Sequence, residues 1–458
     1  MASSAEAQPT RTPQPALRAV LRWLDILSMP LLAIVIAFVV GALIIWVTSG
    51  SLATVITAYD GLIRGAFIKP RAFSETLVAT CPYIFLSLGL ALGFKSGLFN
   101  IGVEGQFYMG SLAAAWVGQL FTGIPAIIYL PLTLLAGALG GAIWAAIPGY
   151  LKARTGAHEV ITTMMMNYVA FRFTELVTTN YLRDPASSSI QTPHVSPAAE
   201  IWTLASIPTQ LKDPLNALGL AIVIGVLALL VVRWLVRQPG MRARLAGGTA
   251  QRLAPAVSGV VVAALCWVAL PPLTRAWWPF KDQYDRMHVG FFLACLMAVV
   301  VWWLLQRTSL GFELRMVGAN PNAARYAGIN ITRSVIVAMA LSGALAGLAG
   351  TVEVLGVSTC RCLPLFFSSG YGFDSIAIAL LGKNDPFGIL ASSFLFGAMR
   401  NGADLMELTS GVSKNIIAVV QSLVLLLTAA PGIVRWLLRL RAPKGGETQA
   451  PLTRGWGG

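Results

Sequence analysis

The chain is a succession of apolar runs, most of them long enough to cross a lipid bilayer, joined by short polar connectors. A hydrocarbon core of ~30 Å takes about 20 apolar residues in a helix. Ten stretches approach or reach that length: 31–48, 77–94, 101–121, 124–147, 161–181, 215–236, 255–273, 289–306, 334–356 and 412–431. Two shorter runs, 371–382 and 386–402, flank the turn GKNDP. The first covers only about 18 Å at ~1.5 Å per residue, so the two are half-helices or tilted spans packed inside protein. Composition excludes a soluble globule: only 11% of residues are charged, against roughly 25% in soluble domains. The expected fold is all-α, a polytopic transmembrane helical bundle with broken or half-helices.

Counting every run as a crossing gives twelve, with both termini on one side. That side then holds 21 of the 33 Lys and Arg, and the opposite side 11, among them Arg64, Lys69, Arg71, Arg361 and Arg400. Arg172 falls within a span. The positive-inside rule therefore puts both ends in the cytoplasm, and it accounts for a net charge of +14 without any nucleic-acid partner. Residues 1–30 have no compact apolar core followed by a cleavage site and read as a cytoplasmic tail. Residues 31–431 form the transmembrane domain and 432–458 a basic cytoplasmic tail. The outer side carries a long Pro- and Ser-rich loop at 183–213 and the stretch RAWWPFKDQYDRMH, whose Trp and Tyr suit a membrane interface. The five cysteines are too few for a disulfide framework. Four sit in or beside apolar runs and read as small hydrophobes; Cys360 and Cys362 fall in a short loop and could oxidise, but a Cys-x-Cys bond closes a strained ring and is not expected.

Polar residues inside apolar runs are the candidates for function. Asn100, Glu104 and Gln106 fall in GLFNIGVEGQFYMGS, among glycines. A buried carboxylate is costly, so this is either a broken helix end lining a polar pathway, or a cytoplasmic turn with Glu104 in a first helical turn. In SGYGFDSIAIALLG, Asp374 heads a short apolar run, where it either lines a pore with Phe373 or caps a half-helix. Asn167 follows three methionines and suits a bridge between helices as well as a solute contact. Arg172 and Glu175, three apart, pair on one face. The two Gly-rich polar breaks, at 95–106 and 368–386, echo each other in the two halves, a pattern that points to a transport site.

The inner loop TSLGFELRMVGANPNAARYAGIN (307–333 is the wider loop) carries a short amphipathic helix. Asn320 is its N-cap, Pro321 its first residue, Ala324, Arg325 and Tyr326 its body, and Gly328 its stop. Such a helix is suited to docking in a partner's groove. The chain has no phosphate-binding loop, no metal spacing among His158, His194 and His288, and no Gly-x-Ser-x-Gly elbow. It is not read as an enzyme, and the energy for transport is expected from a second protein. The alternative is a stand-alone ion-coupled secondary transporter using Glu104 or Asp374.

GLFNIGVEGQFYMGS, TGAHEVITTMMMNYVA, VGANPNAARYAGIN and GFDSIAIALLGKNDPFGIL, in this order, resemble the permease subunits of bacterial ABC importers for nucleosides and simple sugars, within the superfamily of ribose and branched-chain amino acid permeases. The likeness covers about residues 75–431. It implies about ten spans per subunit and a bacterial cytoplasmic (inner) membrane location. It also implies a second, related permease chain, ABC ATPase subunits that carry the ATP and Mg, and an extracytoplasmic solute-binding protein. This chain itself would hold no cofactor and no metal. Carried onto this sequence, 319–328 is the coupling helix, and Asn100, Glu104 and Gln106 belong to the signature of the nucleoside branch. One departure is expected: an inserted helical hairpin in 237–288, which takes ten spans to twelve.

Overall fold

The computed structural model describes residues 15–236 and 248–430. The expected tail at 432–458 and the connector 237–247 lie outside the described residues. Helices follow in the order α1 (Pro15–Ser49), α2 (Leu52–Ile63), α3 (Ala72–Lys95), α4 (Val103–Leu120), α5 (Ala126–Thr155), α6 (Glu159–Asn180), α7 (Pro214–Val236) and α8 (Gly248–Ala276). Then come α9 (Gly290–Arg307), α10 (Ser309–Ala319), α11 (Pro321–Tyr326), α12 (Ile331–Val352), α13 (Tyr371–Leu381), α14 (Pro386–Ser410) and α15 (Asn415–Ala429). Seven of them are long and apolar enough to cross a membrane. The chain is an all-helical, multi-pass membrane bundle. Helix α1 begins inside the stretch expected to be tail. Helix α2 is an addition; with 12 residues it is too short to register as a crossing.

Contacts between distant segments define the two ends of the bundle. At one end Arg71 pairs with Asp282 and Arg286 with Glu75, tying the start of α3 to the loop before α9. The guanidinium of Arg71 holds the Asp282 carboxyl below its ordinary value. The 183–213 loop joins this end, where Leu204 N–H donates to Met287 O at 2.8 Å and Val289 N–H to Trp202 O at 2.9 Å. At the other end Gly318 lies against Lys95 and Gly97, and Lys152 pairs with Glu159 at 3.0 Å. Helix α11 and the long 183–213 loop therefore occupy opposite ends.

Glycines let the central helices touch backbone to backbone. A Cβ on Gly347 of α12 would lie 2.1 Å from Gly137 O of α5, and one on Gly141 would lie 2.1 Å from Gly343 O. Gly110 of α4 meets the same Gly347. These pairs at four-residue spacing are the small-residue packing that holds helices together in lipid. Helix α3, buried along most of its length, runs through the centre. Helices α7 and α8 pack on each other through Gly225, Gly259 and Ala263. They reach the bundle where Ile127 sits on Gly219, and the pair is peripheral.

Gly347→Leu forces the α5 and α12 backbones apart, and overpacking of this kind costs about 1–3 kcal/mol or more. The expected outcome is a lower melting temperature in detergent and less monodisperse protein. Ile143→Leu, at an exposed position on α5, should melt like the parent. Equal melting of both variants would contradict the close helix contact.

Candidate functional site

Helix α12 ends in a π-helical turn at Glu353–Val357, and from 358 to 370 the chain has no regular structure. This segment is pinned at the 183–213 end, where Thr192 N–H donates to Leu363 O at 3.1 Å and Leu365 N–H to Ile190 O at 3.2 Å. Contrary to expectation, Cys360 and Cys362 are disulfide-bonded. Arg361 between them turns the chain at φ 47°, which brings the two Cα atoms to 5.1 Å. The segment then enters the bundle and becomes α13 halfway along α3, where Ser87 donates to Ser375 O at 3.2 Å. With 11 residues, α13 supplies about 17 Å, half a crossing. Irregular backbone at membrane depth is tolerated only where protein or a water-filled cavity surrounds it. Helix α14 is different: it continues past the expected 402 to Ser410, and its 25 residues are long enough to cross.

The two polar breaks of the sequence meet here. Glu104, in the first turn of α4 and only 3% exposed, sits at the N-terminus of α13. Its two carboxylate oxygens accept from the Ser368 hydroxyl and from the Gly372 N–H. A Cβ on Gly372 would lie 2.6 Å from the carboxylate, so only glycine allows this approach. The N-termini of α4 and α13 thus converge on one carboxyl group, whose charged form both dipoles favour.

Beside it lies a network that the sequence reading did not assemble. Tyr83 of α3 donates to Asp374 Oδ2 at 2.9 Å and accepts from Arg400 Nη1 at 3.0 Å. Arg400 also donates to Ser369 and stacks 3.9 Å from the centre of the Tyr371 ring. Arg400 was expected among the outer-side charges. Instead it lies within α14, packed against α3 and α13, because α14 extends beyond it. The signal was available: an arginine inside an apolar run needs a partner at membrane depth. Asp374 is partly buried, and Phe373 beside it is 45% exposed.

The remaining expected residues serve the break itself. Asn100 and Gln106 exchange two side-chain hydrogen bonds of 3.0 Å each, and Asn100 also donates to Ser342 at 3.0 Å. Asn167 of α6 accepts from Gly105 N–H at 2.8 Å and donates to Ile101 O at 3.0 Å. All three are buried. The structure places them around one turn, residues 100–106, that delivers Glu104.

At the opposite end from the 183–213 loop, α11 protrudes. Asn320 caps it by accepting from Asn322 N–H at 3.0 Å and Ala323 N–H at 3.1 Å. Pro321 is its first residue, Ala324 is buried under it, Tyr326 is 94% exposed, and Gly328 ends it at φ 79°.

An all-helical bundle with one crossing broken at mid-depth and a capped knob at one end has the architecture of a membrane permease. Residues 72–429 match the family described as branched-chain amino acid transport system / permease component, and the chain belongs to that family. It is 33% identical over 422 residues to the guanosine ABC transporter permease protein NupP of Bacillus subtilis, covering 92% of this chain and 97% of that protein. The nucleoside ABC transporter permease protein NupB of Lactococcus lactis subsp. cremoris is 28% identical over 92% of this chain and 94% of its own. The glucose ABC transporter permease protein TsgB13 of Haloferax volcanii is 27% identical over 89% of this chain and 88% of its own. No solved structure matches.

Glu104→Gln places an amide donor against one of two donors that now share a carboxylate. Stranding one buried donor costs about 1–3 kcal/mol, and unfolding in detergent should show a loss of that size. Asp404→Asn, at an exposed carboxylate, should stay within about 0.5 kcal/mol of the parent. A Glu104→Gln protein as stable as the parent would rule out the shared-carboxylate role.

Proposed function

We propose that this chain is the membrane-spanning permease subunit of an ATP-binding cassette importer, moving a nucleoside or a simple-sugar-like solute into the cytoplasm of a bacterial cell. The observation that carries the reading is its match, over nearly the whole of both chains, to permease proteins named for guanosine and nucleosides. The ion-coupled alternative finds no support among these relatives. Hydrolysis of ATP, with its Mg, belongs to partner ATPase subunits. A second, related permease and an extracytoplasmic solute-binding protein complete the transporter.

The coupling element in this reading is α11. Its cap and stop hold a small rigid knob, and the exposed Arg325 and Tyr326 are the surface offered to the ATPase. The end that bears α11 also carries Lys95, Lys152, Arg154 and Arg333, which supports its placement in the cytoplasm together with both termini. Along the solute pathway the six expected residues take two parts. Asn100, Gln106 and Asn167 hold the turn at 100–106 in shape. Glu104 anchors α13, and Phe373 and Asp374 face the path. Phe373 offers an aromatic surface to a base or sugar face and Asp374 an acceptor to hydroxyls.

Arg325→Ala with Tyr326→Ala removes exposed side chains only, so the permease should fold normally. With ATPase, second permease and binding protein reconstituted in vesicles, ATP-driven guanosine uptake should fall by roughly tenfold or more, about 1.4 kcal/mol of coupling, and ATPase copurification should weaken. Undiminished uptake, or uptake by this chain without any ATPase, would defeat the proposal.

A further inference from the structure

Helix α6 presents a strip of residues at helical spacing, Ile161, Met165, Tyr168, Arg172 and Glu175, on the side turned away from α4 and α5. Arg172 and Glu175 form an ion pair of 2.6 Å whose side chains are 80% and 37% exposed. Among the described residues nothing else covers most of the Arg172 side chain, and Glu175 is half-buried beside it. Their depth is fixed by their neighbours. Asn167 and Ala170, on the same helix, lie against Gly105, the residue after Glu104. Arg172 is two residues further on, about 3 Å along the axis, and Glu175 about 8 Å. The nearer end of the helix, Asn180, is about 12 Å beyond Arg172. Arg172 therefore lies about two turns inside the helix, close to the level of the polar break.

Two charges at that depth are not compatible with a lipid-facing surface. Even on the mildest scale a central arginine or acid costs about 2.5–3.5 kcal/mol in lipid. Mutual attraction is stronger in a low-dielectric medium, but the desolvation of both ions can exceed it. The exposed residues in the middle of α5, Leu135, Leu139 and Ile143 among them, are uncharged, whereas α6 sets its ion pair among the exposed apolar side chains of Val169, Phe173 and Leu176. The α6 strip is also connected to the break. Ring centres run from Tyr168 to Phe171 at 6.3 Å, Phe171 to Tyr108 at 4.7 Å and Tyr108 to Phe367 at 4.6 Å. Phe367 immediately precedes Ser368, the donor to Glu104.

We propose that the Tyr168, Arg172 and Glu175 face of α6 lines the water-filled solute path. The inference rests on the importer reading for the existence of that path. A guanidinium and a carboxylate side by side offer donors and acceptors at once, which suits a neutral solute bearing hydroxyls. Tyr168, 62% exposed one turn away, adds a flat apolar surface.

The test uses single cysteines in a background lacking the free thiols Cys81, Cys266 and Cys295, in the complete transporter in vesicles. Arg172→Cys and Tyr168→Cys are exposed to a membrane-impermeant thiosulfonate, with Leu139→Cys as the lipid-facing reference. Water access predicts modification about tenfold faster at 168 and 172 than at 139. Reference-like inertness at both positions overturns the inference. Tyr168→Cys keeps the test decisive where Arg172→Cys does not fold. Guanosine uptake by the same vesicles separates the two claims: inert cysteines in a transporting complex sink this inference alone, whereas absent ATP-driven uptake in the parent complex sinks the importer reading, and the labelling contrast still reports water access.

Discussion

One carboxylate, that of Glu104, serves two helix ends at once. It lies in the first turn of α4 and accepts from the first turn of α13. Each helix N-terminus carries the equivalent of roughly half a positive charge, and in a low-dielectric interior an unshared anion or an uncapped helix end is expensive. Bringing the three together offsets part of both penalties. It also explains why the chain can leave α-helical geometry at mid-membrane. The irregular residues before α13 are held from three sides, by Glu104, by Arg400 through Ser369, and by the 183–213 loop through Thr192 and Ile190.

Around that anchor the bundle is stiff where backbones touch and open where they do not. Helices α4, α5 and α12 meet at Gly110, Gly137, Gly141, Gly343 and Gly347, largely backbone against backbone, with little side chain between them to adjust. From the knob the contacts are continuous. Gly318, just before α11, lies on Lys95 and Gly97, and the chain runs from there through the interlocked Asn100 and Gln106 into Glu104. A displacement of the knob thus bears on the turn that carries the anchor through segments with little freedom to absorb it. The α7–α8 pair stands apart from this frame, touching the rest mainly at Ile127.

The all-helical class and the places of the long apolar helices were legible in the sequence because hydropathy is local, whereas the count of twelve crossings was not matched: seven of the described helices are long and apolar enough to cross. So were the polar breaks and the capped knob, since a glycine, an N-cap asparagine and a proline declare themselves within a few residues. What joins them was not legible. Glu104 and its partners are 264 and 268 residues apart, and no spacing rule connects them. Arg400 was counted with the outer charges although it falls inside the run 386–402, because its partners Tyr83 and Ser369 are far away in sequence; Asn401, next to it, ties α14 to neighbouring segments by donating to Gly65 O and Ala72 O. The disulfide was argued against on ring size alone, and the positive φ at Arg361 that permits it is a property of the folded turn.

Satisfaction of polar groups sorts the site more sharply than burial does. Asn100, Gln106 and Asn167 have their side-chain amides paired within the protein, so moving them strands donors and acceptors in a medium without water. Such groups fix a shape. Asp374 and Arg400 are bound differently: each faces a partly open side and holds partners, Tyr83 and Ser369, that are themselves hydroxyls able to rotate to other acceptors. Groups of that kind exchange one partner for another at small cost. A passage for a neutral polar molecule needs both kinds, a frame that keeps the break from collapsing and an edge whose hydrogen bonds can be traded. In the proposed pathway the frame would come from the first half of the chain and most of the edge from the second.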